Sequence, residues 1–159
     1  MTSSLNLQEW FGSIDIYLFD QLLKGRFVPG MRVLDAGCGS GRNLVYFLRS
    51  GYDVFGVDGS TEAISQTRQL AAGIAPHLPV DNFHVEKVEQ MSFAGGSFDV
   101  VLSSAVLHFA RNEEQWQAMR QVSAQSQQVD VRRKACDRRD CDTLVQRPHS
   151  ISTLRLLVL

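Results

Sequence analysis

Val33-Leu-Asp-Ala-Gly-Cys-Gly-Ser-Gly-Arg-Asn43 sets three glycines on alternate positions, directly after a short apolar run and directly before a helical pattern. Glycine takes positive φ and lets backbone or ligand come close, because no Cβ intervenes. A helix starting near Ser40 aims unpaired N–H groups and partial positive charge into such a loop. Whatever binds there is expected to present an anion or a strong acceptor. The plain alternative is a tight turn holding no ligand, and G-x-G-x-G between a strand and a helix argues against it.

Working outward, Pro29-Gly30 punctuates the chain, and "MRVLDAG" follows as a short buried strand. Residues 40–50 read as a helix with Leu44, Val45, Phe47 and Leu48 inward, stopped by Gly51. Residues 52–58, "YDVFGVD", read as a second strand. Ser60 caps the next helix, with Glu62 in its first turn, and that helix runs to about Ala72. Pro76 and Pro79 precede a third strand near 82–86, and Gly95-Gly96 turns into a fourth at 97–104. Upstream, Trp10, Ile14, Tyr17, Leu18, Gln21 and Leu22 share helical spacing, with Gly12 as the point of interruption. Asn112 and Gln115 resemble a capping box before Trp116, Met119 and Val122. This alternation argues for an open, largely parallel sheet with helices on both faces. Ligands bind such sheets outside the carboxyl ends of the strands, where the glycine loop lies.

Two phosphate-binding templates fail on the loop. A dinucleotide fingerprint counted from Gly37 needs its last glycine at position 42, which is Arg. A P-loop needs a lysine, and the stretch has none. Asp58, 21 residues after Gly37, ends the second strand, where a carboxylate can accept both hydroxyls of an unmodified ribose. The alternative for Asp58 is a helix cap before "GSTEA". Loop and acid together indicate a nucleoside whose other end is anionic but need not be phosphorylated.

The chain has 159 residues and 44% apolar content, enough for one domain with a core. Its net charge of −1 gives no reason to expect nucleic acid or an anionic membrane as partner. Residues 1–121 hold 9 Lys/Arg against 13 Asp/Glu, whereas 122–159 hold 7 against 4. Three cysteines and no basic-then-apolar start suggest a reducing, cytoplasmic setting without a signal peptide. No apolar run approaches the roughly 20 residues that span a bilayer.

"VLDAGCGSGRN", "VFGVD", "EQMSFAGGSFDVV" and "SSAVLHF" in this order resemble the successive motifs of class I S-adenosylmethionine-dependent methyltransferases of the small-molecule type. The likeness covers about residues 10–122 and implies an α/β, Rossmann-like three-layer sandwich with a mostly parallel sheet. It implies S-adenosylmethionine as cofactor and a small-molecule methyl acceptor. The Gly37, Cys38, Gly39 and Gly41 loop would receive the methionine portion, with Asp35 nearby. Asp58, followed by Gly59, would hold the ribose hydroxyls, Val88 and Glu89 would flank the adenine, and Ser104 with Ala105 would close the pocket. Relatives often carry an acid four residues before the triplet matched by Met91-Ser92-Phe93, and here that position is Lys87.

Methyl transfer from a sulfonium is an in-line displacement, so positioning supplies most of the rate and a general base is optional. His108 is the candidate catalytic residue facing the methyl group, against the plainer role of packing or capping the turn before Asn112. Tyr17 and Trp10 either close the pocket or pack the core. A helix N-terminus would favour the Cys38 thiolate, yet small size between two glycines explains that residue better.

After Val122 the apolar spacing disappears and arginines crowd in. The expected division is a core at 1–122 and an atypical basic, irregular tail at 123–159. Complete relatives continue with a fifth strand and an antiparallel pair, so the C-terminal strands are expected to be incomplete. A disrupted reading frame near codon 122 is the expected cause, leaving a truncated core. The apolar end "ISTLRLLVL" is the candidate to fill the fifth-strand slot beside the fourth. Cys136, Cys141 and His149 match no zinc template, so no metal is expected. Acids interleave the tail's arginines and no aromatic is present to stack on bases, so no specific nucleic acid is expected. The rival functions are a cofactor-binding remnant without turnover and an NAD-dependent oxidoreductase.

Overall fold

Near-continuous burial in the central strands and one-sided burial in the helices build the domain around a parallel sheet. The computed structural model describes residues 6–103, Glu114 and residues 155–158. Its helices are α1 (Leu7–Phe11), α2 (Ile16–Leu23), α3 (Val45–Arg49) and α4 (Thr61–Ile74). Its strands are β1 (Arg32–Ala36), β2 (Asp53–Asp58), β3 (Phe83–Val85), β4 (Val100–Ser103) and β5 (Arg155–Val158). The sheet order is β3-β2-β1-β4-β5, and every pairing is parallel. Asp35 lies opposite Gly56 on β2 and Leu102 on β4, which fixes the register at the centre of the sheet. The slot beyond β4 is taken by β5, with Val100 opposite Arg155 and Ser103 opposite Val158.

Because side chains alternate along a strand, the sheet sorts its residues to two faces. Val33, Val54, Val100 and Leu102 join Leu18, Leu44, Phe47 and Ile64 in the core beneath the helices. Leu34, Ala36, Phe55, Val57 and Val101 join Val88 and Phe98 on the other face. The central strands β1, β2 and β4 are buried along most of their length, as parallel strands covered on both faces must be. Asp35 and Asp58 therefore point to the α3–α4 face, in phase with Val33 and Gly56.

α4 follows its sequence signals closely. Ser60 Oγ accepts from Ala63 N at 3.3 Å, and Ile64, Thr67 and Ala71 face inward.

Two expectations need correction. α3 begins at Val45 rather than near Ser40, because Gly41 adopts φ +83, outside the right-handed helical region. In the N-terminal segment, Gly12 at φ +58 ends α1, and Asp15 caps α2 by accepting from Tyr17 N at 2.9 Å. That break resets the helical phase, so Trp10 and Tyr17 do not share a buried face. They stand 38% and 67% exposed, which removes the core-packing reading, whereas Leu18 is buried. α1 instead docks through Phe11, whose ring stacks on Tyr46 of α3 with centroids 5.2 Å apart.

Candidate functional site

The glycine loop leaves β1 and turns back over β2 before α3 begins. Gly37, Gly39 and Gly41 adopt φ of +83, +54 and +83. At Gly41 a Cβ would stand 3.0 Å from Leu70 Cδ2 and 3.2 Å from Thr67 Oγ1, so this glycine is demanded by α4 packed behind it. At Gly39 a Cβ would meet nothing within 4 Å, so the backbone there borders open space. One glycine thus serves packing, and the other leaves room for a ligand.

The loop's amides are engaged inside the fold, contrary to the expectation of free donors. Gly37 N and Cys38 N both donate to Val57 O, at 2.8 and 2.9 Å. Gly39 N donates to Asp58 Oδ2 at 3.0 Å, and Gly41 N to Cys38 O at 2.9 Å. The crossover from β1 folds onto the last residues of β2, and their acceptors capture these donors. With α3 starting four residues beyond Gly41, the helix that follows the loop is only five residues long.

What the crevice offers instead is negative. Asp35 is 1% exposed, and its Oδ1 has no hydrogen-bond partner among the described residues. Burial pushes its carboxyl up to about 7, the Arg42 charge pulls it down, and Asp58 raises it further. Asp58 turns toward the loop: besides Gly39 N, it accepts from Ser60 N through Oδ1 at 2.8 Å. Ionised carboxylates carry about four acceptor sites, so Asp58 retains capacity for ligand hydroxyls. The two acids, on one face of the sheet and close enough for the Asp58 charge to act on Asp35, suit a ligand rich in donors or positive charge.

Cys38 is buried, with Sγ 3.0 Å from where a Cβ on Gly56 would lie, so it packs over β2. Burial above all pushes its thiol up to about 12, which removes the nucleophile reading. Gly59 is exposed, and a Cβ there would meet only Lys87 Cγ, at 3.9 Å. After β3, Val88 is buried in the second apolar cluster and Glu89 is half-buried beside it. The neighbouring acid Glu86 turns away, accepting from Ser92 N at 2.9 Å and Ser92 Oγ at 2.6 Å. Lys87 is exposed. Ser104, Ala105, His108, Cys136, Cys141 and His149 lie outside the described residues, as do Asn112, Trp116 and residues 123–154.

Thr67, Asn43 and Asp15 carry roles that the sequence alone does not reveal. Thr67, fully buried on α4, donates from Oγ1 to Gly39 O at 2.8 Å. Its position, inward in step with Ile64 and Ala71, was the available signal: a polar residue on an apolar stripe. Asn43 Oδ1 accepts from Asp15 N at 2.9 Å, and Arg42 pairs with Asp15 Oδ2 at 3.5 Å. Together they tie the start of α2 to the end of the glycine loop.

Parallel sheet, positive-φ loop after β1 and acid at the end of β2 define a Rossmann-like α/β ligand-binding domain. The sequence profile described as "Methyltransferase domain" matches residues 33–127, and the chain belongs to that family. A ubiquinone biosynthesis O-methyltransferase of Sinorhizobium medicae is 38% identical over 80 residues, 50% of this chain and 31% of that protein. EEF1A lysine methyltransferase 4 of Bos taurus is 35% identical over 108 residues, 67% of this chain and 40% of that protein. Magnesium protoporphyrin IX methyltransferase of Synechocystis PCC 6803, solved with bound S-adenosylmethionine, superposes with TM-score 0.57 at 28% identity. That superposition covers 68% of this chain and 50% of the other. The chain spans about a third of the length of the curated relatives it matches first. Among the described residues, no helix is long and apolar enough to cross a membrane.

Proposed function

We propose that the chain binds S-adenosylmethionine above β1 and β2 and transfers its methyl group to a small-molecule acceptor. The observation that carries this reading is the buried Asp35 Oδ1, without a hydrogen-bond partner among the described residues and on the same face as Asp58. The open space at Gly39 provides the cradle. When bound, this cofactor supplies a methyl group already activated on a sulfonium. Asp35 takes the ammonium of its amino-acid end, along the loop of Gly37, Cys38, Gly39 and Gly41. Asp58 takes the ribose diol beside Gly59, and Val88 and Glu89 flank the adenine. Ser104 and His108 are assigned to the pocket and to the transferred group by the sequence resemblance. The residues' work is to hold the partners in line, a task that supplies most of such a rate.

The acceptor side is assigned to the first turn of α2. Tyr17 there is 67% exposed, two residues from Asp15, which Arg42 and Asn43 hold against the loop. The core spans residues 1–122, and the basic tail that follows returns at 155–158 to extend the sheet. An NAD-dependent oxidoreductase is disfavoured, because the amides that would receive a pyrophosphate already have acceptors inside the fold.

A thermal melt with S-adenosylhomocysteine, followed by an acceptor screen, tests the proposal. The ligand should raise the melting temperature, since at a hundred times Kd a native-state ligand adds about 2.7 kcal/mol. NADH should leave it unchanged. Stabilisation with methyl transfer supports the enzyme, and stabilisation without transfer to any acceptor supports a binding module. No stabilisation overturns both.

A further inference from the structure

We infer that Thr67 is a positioning residue for the cofactor, its buried hydroxyl presetting the glycine loop through the Gly39 carbonyl. The inference rests on the cofactor reading above. Gly39 is held at both of its polar groups. Its carbonyl accepts from Thr67 Oγ1 at 2.8 Å, and its N–H donates to Asp58 Oδ2 at 3.0 Å. Asp58 is held in turn at Oδ1 by Ser60 N, at 2.8 Å. A continuous relay therefore runs from α4, through the loop, to the acid that receives the sugar.

Threonine suits this place for two reasons. Its hydroxyl is the donor that reaches the Gly39 carbonyl, and the side chain that carries it is fully buried and so held in place. Its Oγ1 and Cγ2 also back the loop at Gly41, 3.2 and 3.4 Å from where a Cβ would stand. Cys38 Sγ lies 3.9 Å from the same Oγ1, too soft a partner to replace the oxygen. The two anchored groups sit on different peptide planes that meet at the Gly39 Cα, so together they fix the φ of +54 there, which no side chain restrains. Without the hydroxyl, that angle loses one of its two anchors, the aim of the Gly39 N–H at Asp58 loosens, and the methionine and sugar ends of the site lose their common register.

The test compares Thr67→Val, which keeps shape and removes the donor, with Thr67→Ser, which keeps the donor. Calorimetric titration of the full chain with S-adenosylhomocysteine should show Thr67→Val binding about tenfold more weakly. Thr67→Ser should stay within about twofold of wild type. In the unliganded proteins, hydrogen exchange at the Gly39 amide should be faster in Thr67→Val than in Thr67→Ser. A Thr67→Val protein with lowered melting temperature but wild-type affinity and exchange overturns the inference, because the role is then purely structural. Should Thr67→Val not fold, Thr67→Ala against Thr67→Ser gives the same comparison. If wild type itself does not bind the ligand, the cofactor reading fails. The exchange measurement still decides whether Thr67 sets the loop.

Discussion

The amino and carboxyl ends of the same strands are built to opposite plans. At the amino ends, Arg32 pairs with Asp53 Oδ2 at 3.2 Å and donates to Ser97 O. Its guanidinium also lies over Phe55 and Phe98, 4.7 and 5.3 Å from their centroids. Asn82 reaches across to Val54 O at 3.0 Å, and Arg32 N donates to Asp99 Oδ2 at 2.8 Å. Polar groups there bolt strand to strand. At the carboxyl ends, a buried carboxylate oxygen is left without a partner among the described residues, and three glycines hold left-handed conformations. The glycines take these conformations without strain, whereas the unpartnered buried oxygen costs stability. The contrast separates the end that keeps the sheet together from the end that can do chemistry.

Substitutions at either end should therefore cost stability, and only those at the carboxyl end should also cost binding. The largest effect is expected from Gly41→Ala, which places a Cβ against Leu70 and Thr67 in a backbone of φ +83. It should cost about 1–3 kcal/mol of stability in a urea titration and weaken S-adenosylhomocysteine more than tenfold, as the loop shifts off Thr67. Arg32→Ala, at the opposite end, should lower stability by about 1 kcal/mol, since its ion pair is half-exposed and screened. It should leave ligand affinity within about twofold of wild type. Equal loss of affinity in both variants would erase the distinction between the ends.

Much of this plan is legible in the sequence because it is local. The apolar runs of β1 and β2, the Ser60 cap of α4 and the place of Asp58 depend on neighbours within a few residues. Where α3 starts was less legible, because positive φ at Gly41 follows from α4 packing behind it, about 26 residues further along the chain. The engagement of the loop amides depends on Val57 O, an acceptor brought there by the parallel register of β1 and β2. Likewise, the interruption at Gly12 is legible, but the new phase of α2, set by the Asp15 cap, is not, so Trp10 and Tyr17 fall on no shared buried face. The parallel seat of β5 beside β4 matches the apolar end of the chain, but only the sheet shows its register.

Asp35 links the stability of the fold to the chemistry of the cleft. Its carboxyl, raised from 3.8 to about 7 chiefly by burial, keeps a proton in the folded chain that the unfolded chain releases. Between those values the folded state binds more protons, so the unliganded protein should lose stability as pH rises toward about 7. Ligand binding should run the other way, because the charged carboxylate is the form that holds an ammonium. The dissociation constant of S-adenosylhomocysteine, measured by calorimetry from about pH 5.5 to about pH 8, tests this directly. Affinity should tighten up to about pH 7 and then level off, and Asp35→Asn should bind weakly with no such rise. An affinity that stays flat across this range in wild type, or that weakens as pH rises, would contradict the account.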